Sequence, residues 1–195
     1  MGELDWRLLD ERPGPAGYLS ITTRQYLLPD GTRSHWDILG GGRTVAVVAV
    51  TEADSFVMVR QFRPGPGRVL LELPGGKVNE GENPLTAAAR ELLEETGYLP
   101  AKLRLVGRTW LASYASIERY AVIAEGCRFT ADPAPDAEEF CQTVLLSHDE
   151  FVAHVRSGEL TDTDIAYMCL DNLDREALKR TSVGRWRPPT AEQLD

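Results

Sequence analysis

Three glutamates stand close together in one short segment, at Glu91, Glu94 and Glu95. Like charges three and four residues apart on a helix repel each other, so this spacing calls for a cation. The segment opens with a Gly-Gly pair at Gly75, whose backbone carbonyl adds an oxygen ligand. Clustered oxygens suit hard divalent cations such as Mg²⁺ or Mn²⁺, which bridge phosphate oxygens and acidify water. The pattern therefore predicts hydrolysis of phosphate esters or anhydrides.

The glutamates of a helix more commonly form a face exposed to solvent, and the carboxylates by themselves leave that alternative open. The helix that carries them has clear ends. Asn83 suits the N-cap, Pro84 suits the first helical position, and Gly97 suits the left-handed residue after the last turn. We therefore predict a helix from about residue 84 to 96. The apolar residues expected to pack recur at helical spacing, and they are Leu85, Ala88, Ala89 and Leu92.

The whole stretch GGKVNEGENPLTAAARELLEETGY resembles the signature of the Nudix hydrolase family. The matching residues, in order, are Gly76, Glu82, Arg90, Glu91, Leu92, Glu94, Glu95 and Gly97. The one departure is Tyr98, where the family more often has an aliphatic residue. The resemblance implies an α/β protein, a Nudix-type α/β/α sandwich with a mixed sheet. It also implies hydrolysis of a nucleoside diphosphate linked to another moiety, with Mg²⁺ or Mn²⁺ as cofactor.

The same resemblance assigns the metal site. Glu91 and Glu95 are expected to be the principal ligands and to take part in catalysis. Glu94 is expected to bind the metal directly or through water, and the Gly75 carbonyl completes the set.

Other residues of the signature have structural roles by resemblance. Arg90 and Glu82 are expected to fix the geometry of the helix and the preceding loop through ion pairs, and Glu82 could also reach a metal through water. Gly76 and Gly97 are expected to be structural glycines.

A general base is also needed, because the attacking water must lose a proton. The acidic segment DPAPDAEEF is the candidate. Alignment of the following VLLS with the family's strand places the base at Glu139, with the neighbouring Glu138 as the alternative. An acidic loop is commonly only solvated, so this role rests on the resemblance.

Sequence outside the signature is similar to the ADP-ribose pyrophosphatase branch of the family, which cleaves ADP-ribose to AMP and ribose 5-phosphate. The similar segments are LLPDGTRSHWDIL, VRQFRPGPGRVLLELPGGK and GELTDTDIAYMCL. By this comparison Arg63 faces the diphosphate and Glu118 lies near the terminal ribose. A surface arginine and a loop carboxylate are the respective alternatives.

One departure from that branch concerns substrate choice. The branch usually has a proline in a turn after the signature, where this chain has Ser113 and Tyr114. Tyr114 could stack on a base or sugar, or simply pack. Other nucleotide sugars such as GDP-mannose, dinucleoside polyphosphates and oxidised nucleoside triphosphates therefore stay open as substrates. A non-catalytic, nucleotide-sensing Nudix module is the alternative of a different class.

The chain's composition limits its class. Its 195 residues, 43% of them hydrophobic, suffice for one core and predict a single globular domain. A net charge of -9 disfavours nucleic acid as the main partner, and TVAVVAV is too short to cross a membrane. The three cysteines show neither disulfide nor zinc spacing, which favours a reducing cytoplasm.

The elements that position these residues follow from turn and strand signals. Pro29-Asp30-Gly31 predicts a hairpin between two N-terminal strands, and later Val-rich runs predict a sheet. Ser147 and Glu150 have capping-box spacing, and Thr161 is a candidate cap for the last helix.

We divide the chain accordingly into a small antiparallel strand element (1–42), a catalytic domain (43–182) and a tail (183–195). By resemblance, the N-terminal element mediates a homodimer.

Overall fold

The computed structural model describes residues 7–13, 19–135 and 140–179. The tail 183–195 and both candidate bases, Glu138 and Glu139, lie outside these ranges. The elements in chain order are β1 (Arg7–Pro13), β2 (Ser20–Leu27), β3 (Arg33–Gly40), β4 (Arg43–Thr51), β5 (Phe56–Arg63), β6 (Arg68–Glu72), β7 (Gly75–Val78), α1 (Pro84–Thr96), β8 (Tyr98–Leu99), β9 (Lys102–Trp110), β10 (Glu118–Phe129), β11 (Gln142–Leu146), α2 (His148–Ser157) and α3 (Thr163–Lys179).

Strands β1, β2 and β3 form their own antiparallel sheet. The predicted hairpin is confirmed, since Leu27 pairs with Arg33 and the turn closes with the Gly31 amide donating to the Leu28 carbonyl at 3.0 Å. Gly31 has a φ of 83°, which glycine adopts without strain. The last strand of this sheet is tied to the rest of the molecule, because the Leu39 amide donates to the Tyr114 carbonyl at 2.9 Å.

The larger sheet has the strand order β11-β5-β4-β10-β8, with β6 also pairing β5, β7 pairing β4 and β9 pairing β10. Strands β4 and β10 run parallel, and the other pairs are antiparallel. The sheet is therefore mixed, as predicted.

Helices cover both faces of this sheet, which confirms the α/β/α sandwich. On one face, Val45 and Val47 of β4 pack with Ala88 and Leu92 of α1. On the other face, buried residues of the sheet pack with α2 and α3, and they include Ala46, Met58, Ile123, Phe151, Ile165 and Cys169. None of the helices within the described ranges is long and apolar enough to cross a membrane.

Strands β4 and β5 pair only at Ala49–Val57 and Val50–Phe56. Beyond these pairs β5 continues with β6 as a hairpin, whereas β4 takes β7 as its partner. This division brings the Gly75–Gly76 pair of β7 beside the central strand, next to α1.

The predicted ends of α1 are confirmed. The Asn83 side chain accepts a hydrogen bond from the Leu85 amide, and Gly97 closes the helix with a φ of 76°. Ala88 and Leu92 are fully buried, whereas Ala89 is only half-buried.

Helix α2 begins with the predicted capping box, in which the Ser147 and Glu150 side chains bond each other's backbone amides. The prediction of Thr161 as the cap of α3 is wrong. That helix begins at Thr163, and the Thr161 hydroxyl donates instead to Glu72 at 2.8 Å.

Candidate active site

Glu95 lies on the inner side of α1 and is only 2% exposed. Its Oε2 accepts a hydrogen bond from the Gly75 amide at 2.8 Å, and its Oε1 lies 4.0 Å from the Cys141 Sγ. A buried carboxylate is costly unless polar groups or a cation compensate its charge. Glu95 is thus held between α1, β7 and the chain just before β11, and it does not lie on a solvated face.

Glu91 sits one turn earlier and is 9% exposed. Gly76 approaches it so closely that a Cβ on Gly76 would lie 2.6 Å from the Glu91 carboxyl carbon. Only glycine permits this approach. The sequence therefore places Gly76 where the strand must make room for a carboxylate.

Arg90 connects the acidic residues of the signature. Its guanidinium donates to Glu82 Oε1 at 3.1 Å, to Glu91 Oε1 at 2.9 Å and to Glu94 Oε2 at 3.0 Å. The hydrogen bond to Glu82 is the largest cause of the raised pKa of Arg90, and the same bond lowers the pKa of Glu82. A residue of the same helix therefore supplies part of the positive charge that the glutamate spacing requires.

The loop before α1 is fixed from both sides. The Asn79 amide donates to Glu82 Oε2 at 2.9 Å, and Arg90 Nη2 donates to the Lys77 carbonyl at 2.9 Å. Arg43 of β4 donates to the Asn79 and Glu82 carbonyls at 3.1 and 3.2 Å. These bonds hold the loop against both the sheet and the helix.

The side chains of α1 offer the kind of oxygen ligands that hard divalent cations prefer. The site has carboxylate oxygens at Glu91 and Glu95, a third carboxylate at Glu94, and a glycine cradle at Gly76 that leaves room at the first of them. Within the described ranges, no three acidic, histidine or cysteine side chains are already gathered as a metal site. The carboxylate of Glu94 is instead ion-paired with Arg90.

Arg63, at the end of β5, contacts the fully buried Glu72. Its Nε lies 3.7 Å from Glu72 Oε1, beyond hydrogen-bond distance. Both Glu72 oxygens accept from Thr161, whose amide lies 3.2 and 3.1 Å away. The role of Arg63 at the diphosphate stays a prediction.

Glu118 begins β10 and has both carboxylate oxygens engaged. Arg108 donates to Oε1 at 3.0 Å, and the Tyr120 hydroxyl donates to Oε2 at 2.8 Å. Glu118 pairs in register with Arg43, the residue that anchors the loop before α1.

Tyr114 projects from the loop between β9 and β10, with 57% of its surface exposed. Both sides of this loop are fixed to β3, because the Ser116 amide also donates to the Leu39 carbonyl at 2.8 Å. The roles of Glu118 and Tyr114 toward a substrate stay predictions.

The sequence analysis did not single out two buried charged groups. One is Glu72, whose signal is a lone carboxylate in the apolar run RVLLELPGG. The other is Arg119, 6% exposed, which donates to Asp164 at 2.9 and 3.0 Å and to Asp162. Together they fix the segment between α2 and α3 to the sheet.

Comparison with known proteins places the chain in a family. The model of the NUDIX domain matches residues 25–164. This range contains α1, the Gly75–Gly76 pair and the Arg90 network, so the chain belongs to the Nudix hydrolase family, whose members generally use divalent metal ions.

Individual relatives cover most of the chain. It is 33% identical to the ADP-ribose pyrophosphatase of Bacillus subtilis (strain 168) over 72% of its length and 77% of that protein's. It is 32% identical to the methanol dehydrogenase activator of Bacillus methanolicus, over 70% and 75% of the two chains. A crystal structure of an ADP compounds hydrolase superposes with a TM-score of 0.74 at 18% identity, covering 91% of this chain and 96% of that one. This last likeness concerns the fold.

Proposed function

We propose that this chain hydrolyses the diphosphate linkage of a nucleoside diphosphate sugar, with ADP-ribose as substrate and AMP and ribose 5-phosphate as products. The observation that carries the proposal is the pair of buried carboxylates, Glu91 and Glu95, held by Gly75, Gly76 and Arg90. The relative from Bacillus subtilis that is named an ADP-ribose pyrophosphatase supports the choice of substrate.

The residues that would hold Mg²⁺ or Mn²⁺ are Glu91, Glu95, Glu94 and the Gly75 carbonyl. A bound divalent ion supplies positive charge for phosphate oxygens and lowers the pKa of water. Arg90 orients this set, because it fixes two of the carboxylates and the loop that precedes them.

The remaining site residues act on the substrate itself. Arg63 presents a planar guanidinium, which binds diphosphate oxygens in pairs. Glu118 would accept hydroxyl hydrogen bonds from the terminal ribose, and the exposed Tyr114 ring would stack on a base or sugar. Glu139 would accept the proton of the attacking water, with Glu138 as the alternative.

Product analysis tests the proposal. The purified protein is incubated with Mg²⁺ and a panel of ADP-ribose, GDP-mannose, other nucleotide sugars, dinucleoside polyphosphates and triphosphates, and the products are separated by chromatography. We expect AMP from ADP-ribose at the highest kcat/KM, and a rate of AMP release from Glu95→Gln that is lower by roughly a hundredfold or more. The same assay on Glu139→Gln and Glu138→Gln identifies the base, since only the true base should lower kcat by orders of magnitude.

Another nucleotide sugar or a dinucleoside polyphosphate is the second candidate substrate, and one observation favours it. The loop that carries Tyr114 replaces the proline of the ADP-ribose branch and exposes an aromatic ring. If the protein cleaves such a substrate best, the proposed reaction class stands and the proposed substrate changes. Cleavage of no substrate would support the non-catalytic, nucleotide-sensing alternative.

We also propose a homodimer formed through the strand element 1–42, attached to a catalytic domain of residues 43–182, in the cytoplasm. Trp36 of β3 and Leu19, which immediately precedes β2, are 46% and 42% exposed, and these apolar side chains support an interface there.

A further inference from the structure

Gln61 is a buried polar residue that has no role in the proposed function as described above. It lies on β5 and is 7% exposed, and its Nε2 has no hydrogen-bond partner among the residues that the structure describes. Buried amide groups in folded proteins are nearly always hydrogen-bonded, because an unpaired one costs free energy. An unpaired donor at this position therefore calls for a partner from outside the chain.

The register of the β5–β6 hairpin places Gln61 beside Arg63. Val59 pairs with Glu72, Gln61 with Leu70, and Arg63 with the opposite end of β6. Alternate residues of a strand share one face, so Gln61, Arg63 and Glu72 lie on the same side of the hairpin. Because Arg63 Nε lies 3.7 Å from Glu72 Oε1, the arginine side chain extends back along the hairpin toward Glu72.

Arg63 carries a second donor on this face that makes no hydrogen bond within the described ranges, although it is ion-paired with Glu72. This donor is the Nε, which is also buried. Gln61 and Arg63 thus present two buried N–H donors on one face of the hairpin, one of them on a cation that also faces the Glu72 carboxylate at 3.7 Å. Such a pair of donors suits an anionic oxygen acceptor.

The same face of β5 is the one covered by α1. Val57, which shares the face of Gln61, packs in the cluster that contains Ala88 and Leu92 of α1. Strand β11 pairs with the edge of β5 opposite to β6, and there Gln142 pairs with Arg60. Continuing this antiparallel register by one residue sets Cys141 opposite Gln61.

Cys141 connects this position to the carboxylate site. Its Sγ lies 4.0 Å from Glu95 Oε1. Through Cys141, Gln61 therefore lies near the carboxylates of α1, and an anionic substrate held at those carboxylates would lie near the Gln61 side chain.

We propose that Gln61 is a substrate-binding residue, whose Nε2 donates a hydrogen bond to a phosphoryl oxygen of the diphosphate. This inference rests on the proposed function, because the diphosphate supplies the acceptor.

The variant Gln61→Met tests this role, since methionine has a similar length and no donor. We expect kcat/KM for ADP-ribose to fall about tenfold, the loss of one hydrogen bond to a charged group. We expect the thermal midpoint to stay equal or rise, because an unpaired buried amide is removed. A structural role would instead lower the midpoint.

Thr143→Val is the matched control. The Thr143 hydroxyl is also buried with no partner in the described part of the chain, and Thr143 pairs with Val59, one step along the same face. Valine has the same shape, so the thermal midpoint should again stay equal or rise. Its kcat/KM should equal that of the wild type.

An active wild type with unchanged kcat/KM in Gln61→Met would overturn the inference and leave the proposed function standing. A joint fall of activity and thermal midpoint would overturn it too. If the wild type cleaves no substrate of the panel, the proposed function fails. Calorimetric titration with ADP-ribose then tests the hydrogen bond by itself, where Gln61→Met should bind about tenfold more weakly and equal affinity would refute the role.

Discussion

The absence of a side chain at Gly76 decides where the Glu91 carboxylate can lie. In Gly76→Ala the new Cβ would be 2.6 Å from that carboxyl group, so the carboxylate must move. Because displacement of a reacting group by about 1 Å costs roughly a hundredfold in rate, we expect kcat to fall about a hundredfold while the fold persists. Steady-state kinetics and circular dichroism measure the two effects.

Gly65→Ala is the control for this change, since a Cβ at Gly65 meets nothing within 4 Å. Equal activity of the two variants would contradict the close fit of Gly76 to Glu91.

The three cysteines should differ in their reactivity toward iodoacetamide, because they differ in burial. Burial raises the pKa of Cys127 to about 11 and that of Cys169 to about 12, so both thiols stay protonated at neutral pH. Cys141 is only half-buried and lies 4.0 Å from Glu95. We expect native alkylation at Cys141 first, with loss of activity, as followed by peptide mass spectrometry. Faster labelling of Cys127 or Cys169 in the native protein would contradict the described packing.

At the scale of elements, the capping box of α2 links stability to pH. The hydrogen bond from Ser147 is the largest cause of the lowered pKa of Glu150, whose ordinary value is 4.5. A lowered pKa in the folded state stabilises the protein above that value, and the contribution disappears as the pH falls through the folded pKa. Ser147→Ala should therefore reduce stability at about pH 7, and by a smaller amount at about pH 3.5.

Urea denaturation of both proteins at the two pH values measures this difference. Ser157→Ala, which removes a hydroxyl bonded to the His154 carbonyl at the other end of α2, is the control whose effect should not change with acid. A Ser147→Ala effect that grows in acid would refute the assigned role of Glu150.

Elements with local signals were predictable from the sequence. Asn83, Pro84 and Gly97 define α1, and the spacing of Ser147 and Glu150 defines the start of α2, because caps act within a few residues. The packing of Glu91 and Glu95 against β7 was not predictable in this way. It depends on the pairing of β7 with β4, which brings together residues far apart in the chain.

Long-range charged contacts were likewise missed. Glu72 meets Thr161 and Arg119 meets Asp164 only after the sheet and α3 have assembled. The neighbouring sequence does not indicate these distant partners, so Thr161 was wrongly predicted to be a helix cap. The signature residues were found because their spacing lies within one loop and one helix.

At the scale of the whole molecule, the N-terminal sheet exposes apolar surface that a partner copy would cover. Light scattering should give about twice the 21.6 kDa of one chain. Trp36→Glu, which places a charge on the 46% exposed Trp36, should shift the protein toward monomer. Tyr167→Glu, at a residue 47% exposed on α3, should leave the dimer intact. A monomeric wild type would contradict the proposed interface.

The central claim is that the α1 carboxylates hold the divalent ion needed for hydrolysis. The most direct measurement is the initial rate of AMP release from ADP-ribose during titration of EDTA-treated protein with Mg²⁺, for wild type, Glu95→Gln and the exposed control Glu80→Gln. We predict no release without metal, saturable activity in wild type and Glu80→Gln, and a loss on the order of a hundredfold or more in Glu95→Gln. Equal Mg²⁺ dependence and equal rates in Glu95→Gln and wild type would contradict the claim.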